Sequence, residues 1–281
     1  KKKKKQNLIE KMMNQKQKQS KIILIGDSCK DVTHFGHVNR LSPEGPFPVL
    51  DYHSTEVADG MIMNVYNNFM NLLVRPDDVT IYSKLCEEKI RYVDDVSQRQ
   101  LMRMDSPILE DNKAIDLTGL LLADLSDFDA IVISDYNKGY VTYDFVQSLR
   151  KKYHGPIFID SKKPDLVKFK GCIVKINRDE WNKRTSEGDD TYIITGGRDD
   201  VTIRFAGSTH EEYVQPPQVE THDPCGCGDT FLAAFVYDYL NNQDMIKATE
   251  FAVQAAAVTV TKTGVYAPNL EEITGEDHTY H

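Results

Sequence analysis

Asp223-Pro224-Cys225-Gly226-Cys227-Gly228-Asp229-Thr230-Phe231 is a glycine-rich turn that opens directly into an apolar, helix-forming stretch, residues 230–240. Two glycines around one residue let the main chain turn tightly and aim several N–H groups into one concavity. The positive end of the helix that follows adds to the same field, so the turn attracts phosphate oxygens. Asp229 falls in the first turn of that helix, beside the anion, where a carboxylate accepts a proton from an attacking hydroxyl. An ordinary capped helix start also carries Asp, so the turn alone leaves both readings open. No Lys-Ser/Thr follows the glycines, which excludes a Walker loop. A dinucleotide fingerprint belongs after the first strand, where this chain reads Gly26-Asp27-Ser28-Cys29 without a Gly-x-Gly.

Upstream of the turn, short apolar runs at residues 21–25, 130–134, 156–159, 172–176 and 191–194 alternate with helical stretches such as 144–153. Runs of this kind read as strands buried on both faces, and the alternation predicts an α/β fold around a mainly parallel sheet. The runs give way to Asp27, Asp135, Asp160, Asn177 and Thr195. Ligands of open α/β sheets bind beyond the carboxyl ends of the strands, so five successive polar strand ends predict a site there. Residues 31–105 differ, with β-prone pieces at 47–52, 89–93 and 100–104 among loops and one helix near 64–73. They read as a small β-rich lid contributed by about 31–60 and 80–105. The C-terminal part is helical over 230–240 and over 245–261, the latter rich in small residues suited to close packing. Residues 21–270 form one domain in this reading, with tails at 1–20 and 271–281.

The composition is that of a globular protein, 40% hydrophobic and 27% charged in 281 residues. No apolar run reaches the roughly 18 residues of a membrane span, and the first residues lack a secretory apolar core, so the expected location is the cytoplasm. Residues 1–20 hold eight Lys and one Glu, a local +7, while the whole chain is −9, which leaves −16 on residues 21–281. That acidic body argues against nucleic acid as a partner. The Lys-rich head reads as a solvated, disordered tail, or as a contact for an acidic partner. Five scattered cysteines read as reduced thiols. Cys225 and Cys227 have no second Cys or His pair at zinc spacing, so no metal is expected on them.

Residues 223–231 resemble the Asp-x-Thr-Gly-Ala-Gly-Asp-x-Phe signature of the ribokinase/PfkB carbohydrate kinases. The resemblance implies a three-layer ribokinase-like sandwich with a β-rich lid, ATP and Mg²⁺ as cofactors, an anion hole at Gly226, Cys227 and Gly228, and Asp229 as catalytic base. Arg40-Leu41-Ser42-Pro43-Glu44-Gly45-Pro46-Phe47-Pro48-Val49 is similar to the Arg-Ile-Ser-Pro-Glu-Ala-Pro-Val-Pro-Val of the subgroup that phosphorylates heptose 7-phosphate at its anomeric hydroxyl. Asp27, Asp31, Gly60 and Asn64 fall on that subgroup's sugar-binding positions. Lys89-Ile90-Arg91 and the segment from Gln98 through Arg103 to Asp105 resemble its Lys-x-Arg and Gln-Gln-x-x-Arg-x-Asp segments. Arg91 and Arg103 suit an acceptor that already bears a phosphate, because guanidinium grips phosphate in a fork. Ser134-Asp135-Tyr136-x-Lys138-Gly139 and Asp160-Ser161-Lys162 match further family motifs and add Lys138 and Lys162 to the substrate side. Asn177-x-x-Glu180 looks like the family's magnesium motif, with Glu180 acting through water. Thr195 and Gly197 fall where the family holds nucleotide, together with Asn177, Gly226 and Gly228. The similarity runs from about residue 21 to 268, in the family's order.

Departures from the family pattern are specific. Pro224 and Cys225 alter the signature, and Cys225 replaces a Thr hydroxyl. Asp59 stands where the N-terminal signature has a glycine, which brings a β-carbon and a charge toward the expected sugar site. Segments after Leu73 and between Glu180 and Tyr192 look shortened. The reading is therefore a sugar kinase acting on a sugar phosphate. The alternatives are a kinase-like binding module with impaired catalysis, or a kinase for another sugar or a nucleoside. Homodimerisation through the lid is a further implication of the resemblance.

Overall fold

Ile22 and Leu24 face one side of the central sheet and Ile23 and Ile25 the other, all four fully buried. This alternation of apolar side chains to both faces is what a strand between two helical layers requires. The computed structural model describes residues 20–72, 75–108, 117–262 and 264–275. The expected Lys-rich tail lies outside them apart from Ser20, and so do Leu73 and residues 276–281.

Ten strands form one sheet in the order β10-β9-β8-β7-β6-β5-β1-β3-β4, with β2 paired to β1. They are β1 (Ile22–Leu41), β2 (Pro48–Met61), β3 (Val79–Asp94), β4 (Arg99–Pro107), β5 (Ala130–Asp135), β6 (Ile157–Ser161), β7 (Ile173–Asn177), β8 (Thr191–Gly196), β9 (Asp199–Arg204) and β10 (Glu211–Val214). The central pairs β3-β1-β5-β6-β7-β8 are parallel. The added strands β2, β4, β9 and β10 are antiparallel.

The helices are α1 (Ile62–Asn71), α2 (Leu117–Leu122), α3 (Tyr143–Lys152), α4 (Arg178–Asn182), α5 (Cys227–Asn242), α6 (Met245–Val260) and α7 (Leu270–Thr274). α1, α5 and α6 pack on one face with Ile22, Leu24, Val132 and Phe158, and α2 and α3 pack on the other with Ile23, Ile131, Ile133 and Ile159. The result is a three-layer α/β/α sandwich. α5 is buried over most of its circumference, because small Ala248, Ala252 and Ala255 of α6 let the two helices approach closely. α7 begins inside the domain expected to end at 270 and carries the buried Ile273 into the same core.

The expected strands of the parallel core lie within two residues of their observed bounds at either end, apart from the first. The difference is in the lid. β1 is 20 residues long and β3 16, so the lid grows out of two core strands without a break in the chain direction. A register shift between Ser28 and Cys29 marks the passage from core to lid and leaves Cys86 as the unpaired residue of β3. β9 and β10 close the sheet at the other edge. They are absent from the sequence reading because their polar residues give no uniform apolar run.

Gly26 sits where β1 crosses β5, and a β-carbon there would overlap the Ser134 carbonyl oxygen. Gly26→Ala should therefore destabilise the protein by at least about 2 kcal/mol, read as a lower midpoint in urea unfolding. An unchanged midpoint would show that the two strands have room to part.

Candidate active site

The site lies where the carboxyl ends of β5, β6 and β7 meet the start of α5. Gly226 precedes α5 with φ of +80°, a left-handed conformation that glycine adopts without strain. Asp223 pins the turn by accepting from the amides of Cys225 (2.9 Å) and Gly264 (3.0 Å). The Cys227 N–H is engaged by the Pro224 carbonyl at 3.3 Å. Among the described residues the amides of Gly226, Gly228 and Asp229 have no such acceptor, which leaves them as the donors the turn could offer to an anion. Of the amides expected to form an anion hole, that of Cys227 is thus taken up within the turn.

Asp229 is only 5% exposed to solvent. Its Oδ2 accepts from Asn64 Nδ2 at 3.1 Å and its Oδ1 from the Tyr136 hydroxyl at 3.0 Å. Burial, assisted by the charge of Asp160, raises its carboxyl to about 6, while Asn64, Lys175 and Tyr136 pull it down. A carboxyl poised there is ionised at neutral pH and still basic enough to take a proton. Tyr136 is itself partly buried, and desolvation with the neighbouring Asp229 charge holds its hydroxyl protonated as the donor.

Lys175 is a site residue that the sequence reading lacks. It projects from β7 with its Nζ 2.6 Å from Asp160 Oδ2 and 3.1 Å from where a β-carbon on residue 228 would stand. Burial alone would push its ammonium down, yet Asp160, Asp229 and Glu180 outweigh that and keep it above its ordinary value. A cation therefore faces the anion-binding turn from below. The signal for it is a lysine inside the run Ile173-Val174-Lys175-Ile176, where a doubly buried strand tolerates charge only with a partner.

The substrate-side residues fall around this centre in different ways. Asp27 is fully buried, with Oδ2 accepting from the amides of Tyr136 (2.8 Å) and Lys138 (3.2 Å) and Oδ1 accepting from the Cys86 thiol (3.3 Å). It ties the 136–138 turn to β1, and a direct bond to a sugar would displace one of these donors. Asn64 reaches Asp229, so α1 orients the carboxylate. Gly60 leaves room for Asp31, whose Oδ2 a β-carbon at that position would overlap. Asp31 accepts from Arg91 Nη1 at 2.6 Å. Arg91 and Arg103 face each other as cross-strand partners on β3 and β4, with Arg103 gripped by Asp105 at 2.7 and 3.0 Å. Lys138 pairs with Glu87 at 2.6 Å. Lys162 lies 3.7 Å from Glu180 and 5.0 Å from the Tyr136 ring centre.

One expectation is corrected. Asp59 does not intrude on the sugar side: it is exposed and paired with Lys30 on the opposite face of the lid strands from Gly60. Asn177 and Glu180 form a capping box at the start of α4, Asn177 accepting from the Glu180 amide (2.8 Å) and Glu180 Oε2 from the Asn177 amide (3.2 Å). Asn177 does not line the neighbouring cavity. That cavity, about 270 Å³ and largely apolar, is walled by Thr195, Gly197, Val219, Phe231, Ala256 and Val260 and reaches Cys227 and Gly228. An apolar slot ending on a phosphate-attracting turn has the layout of a nucleotide pocket.

Comparisons with known proteins bear on the fold and on family similarity. The profile of the pfkB family carbohydrate kinases matches residues 166–272. The bifunctional protein HldE of a Nitratiruptor species is 28% identical over 309 residues, covering 90% of this chain and 64% of its own. That of Helicobacter acinonychis is 29% identical over 304 residues, covering 90% and 65%. The chain thus spans just under two thirds of the length of these relatives. Alignments longer than the 281-residue chain mean that the relatives carry insertions relative to it. Among solved structures, phosphofructokinase-2 from Escherichia coli in complex with potassium superposes with a TM-score of 0.67 at 15% identity, covering 91% of this chain and 97% of that one. A ribokinase from Thermotoga maritima gives 0.63 at 14%, covering 91% and 98%.

Lys175→Met should move the Asp229 carboxyl above about 6, since it removes a charge that pulls the group down. Difference infrared spectroscopy of the carboxyl band across pH reads this, and an unchanged or lower titration point would separate Lys175 from the base. The chain thus has the ribokinase-like fold, its residues 166–272 match the pfkB family carbohydrate kinase profile, and it is similar in sequence to the HldE proteins over 90% of its length.

Proposed function

We propose that the chain is an ATP-dependent sugar kinase whose acceptor is a sugar phosphate, with the anomeric hydroxyl of heptose 7-phosphate as the preferred target. The observation that carries this reading is Asp229: a buried carboxylate with its pKa at about 6, held by two donors at the end of a helix whose free amides adjoin an apolar pocket. In the step proposed, the acceptor hydroxyl gives its proton to Asp229 as its oxygen attacks the terminal phosphorus in line. Tyr136 and Asn64 hold the carboxylate in place. The Gly228 and Asp229 amides and the Lys175 ammonium take up charge on the moving phosphoryl group. Magnesium, when bound with the nucleotide, would neutralise phosphate oxygens. Glu180, whose Oε1 lies 3.7 Å from Lys162, would hold that ion through water.

The phosphate on the acceptor is supported by the cations gathered on this side: Lys89, Arg91, Arg103 and Lys138, paired with Glu87, Asp31 and Asp105. Two arginines directly opposed across strands repel each other unless anions lie between them. The heptose rests on the decapeptide at residues 40–49 and on the HldE relatives. With ATP, Mg²⁺ and heptose 7-phosphate, the wild type should form product, and kcat/KM should fall about tenfold per pH unit below about 6. Asp229→Asn should lower kcat by about 10²–10⁴-fold while nucleotide affinity stays within about twofold. Full activity in that variant, or no acidic limb, would refute the catalytic assignment. Equal turnover of a sugar lacking the phosphate would refute the acceptor alone.

We further propose a homodimer through the lid. Met102 and Met104 share one face of β4 and are 53% and 43% exposed, and the exposed Val57 of β2 lies on the same face, across Val32 of β1 and Ile90 of β3. Apolar side chains grouped on one sheet face mark an association surface. Sedimentation velocity should give a dimer for wild type and a monomer for the Met102→Asp/Met104→Asp double variant. A monomeric wild type would overturn this.

A further inference from the structure

Two histidines and two aspartates meet at the outer end of the lid, away from every residue given a role in phosphoryl transfer. Asp94 ends β3 and Asp95 follows it, its amide bonded to the Gly36 carbonyl of β1 at 3.0 Å. His37 on β1 places Nδ1 3.3 Å from Asp94 Oδ1. His53 on β2 places Nε2 3.1 Å from Asp95 Oδ2. The donor atoms of His37, Asp94 and Asp95 all lie within 4.8 Å of one another.

The chain is bent to bring them there. Phe35 pairs with Ser54 and Gly36 with Tyr52, so His53 is the extra residue of a β-bulge. Bulges re-aim a side chain that regular pairing would send elsewhere. Asp94 is held from behind, its Oδ2 by the amide (3.0 Å) and hydroxyl (2.5 Å) of Ser97 and its Oδ1 by the Val38 amide at 3.0 Å. Such outer contacts are what fix the ligands of a metal site.

Hydrogen bonding leaves one group unexplained. Although the Asp95 side chain as a whole is partly exposed, its Oδ1 is sealed from solvent and has no hydrogen-bond partner among the described residues. A sealed carboxylate oxygen without a donor is costly, and a cation relieves it. The contact distances also fit one. Ligand bonds of about 2.0–2.1 Å in a tetrahedron put ligand atoms about 3.3 Å apart, against 3.3 Å for His37–Asp94 and 3.1 Å for His53–Asp95; His53 stands outside the three-residue group and would be drawn in as the fourth ligand.

We propose that His37, His53, Asp94 and Asp95 bind one divalent transition-metal ion of the zinc class, which clips β1, β2 and the turn after β3 together at the tip of the lid. Two imidazole nitrogens and two carboxylate oxygens suit zinc or cobalt better than magnesium or calcium. The competing arrangement is a pair of plain His–Asp hydrogen bonds with no ion.

Cobalt titrated into the metal-stripped full chain distinguishes them. Saturable one-to-one binding is expected, with the visible bands of a tetrahedral nitrogen and oxygen site, no sulfur-to-cobalt charge-transfer band, and displacement by zinc. His37→Ala and His53→Gln should each weaken cobalt binding by at least about tenfold. The Gln amide keeps a hydrogen bond to Asp95, so the lid's polar contact survives while the ligand is lost. Asp95→Asn, of the same shape, should weaken binding similarly, with circular dichroism reporting the fold of each variant. Absence of saturable binding, affinity indifferent to these substitutions in folded variants, or a thiolate band would overturn the proposal.

Discussion

Everything in the catalytic half depends on a carboxylate kept ionisable inside the protein. Asp229 is removed from water, and burial pushes its carboxyl toward the protonated form. Three contacts from different elements prevent that: Asn64 from α1, Tyr136 from the turn after β5, and the charge of Lys175 on β7. Lys175 is buried only because Asp160 on β6 neutralises it. The strand order β5-β6-β7 is therefore part of the chemistry, since adjacent parallel strands deliver these groups to one end of the sheet. The same end receives the start of α5, whose free amides need an anion. Positive and negative groups thus stand a few ångströms apart, separated by the place where a phosphoryl group would lie.

The lid follows from a second constraint. β1 and β3 run on past the core instead of turning back, so the acceptor side is attached to the catalytic side by continuous backbone. The bulge at Ser28/Cys29 marks where one becomes the other and aims the Cys86 thiol at Asp27. Beyond it the strands carry alternating charge, Asp31 against Arg91 and Asp105 against Arg103, rather than an apolar core. An arrangement held by ion pairs at a solvent-facing surface is weakly stabilised. That leaves the lid free to exchange internal partners for those of a substrate.

Much of this is legible in the chain. The uniform apolar runs mark out the parallel core, because a strand buried on both faces needs no interpretation of phase. The Gly-x-Gly-Asp turn locates the helix start and the candidate base. The lid strands look short in sequence, since their residues alternate polar and apolar and resemble loops when taken in pieces. Lys175 escapes notice because a single lysine in an apolar run gives no hint of which carboxylate meets it. Asp59 misleads for a related reason: the substitution is visible in sequence, but the face its side chain takes is set by strand pairing, which also brings it to Lys30. The Asn177–Glu180 spacing is both a capping box and a family motif, and spacing alone does not separate the two.

The central claim is that the amides opening α5 cradle a phosphate while Asp229 faces the acceptor. The most direct measurement is a crystal structure of the full chain with a non-hydrolysable ATP analogue. The account predicts terminal phosphate oxygens within about 2.7–3.2 Å of the Gly228 and Asp229 nitrogens, with the base in the cavity walled by Phe231 and Ala256. Phosphates bound away from that turn, or an Asp229 carboxylate swung out of reach of Tyr136 and Asn64, would contradict it.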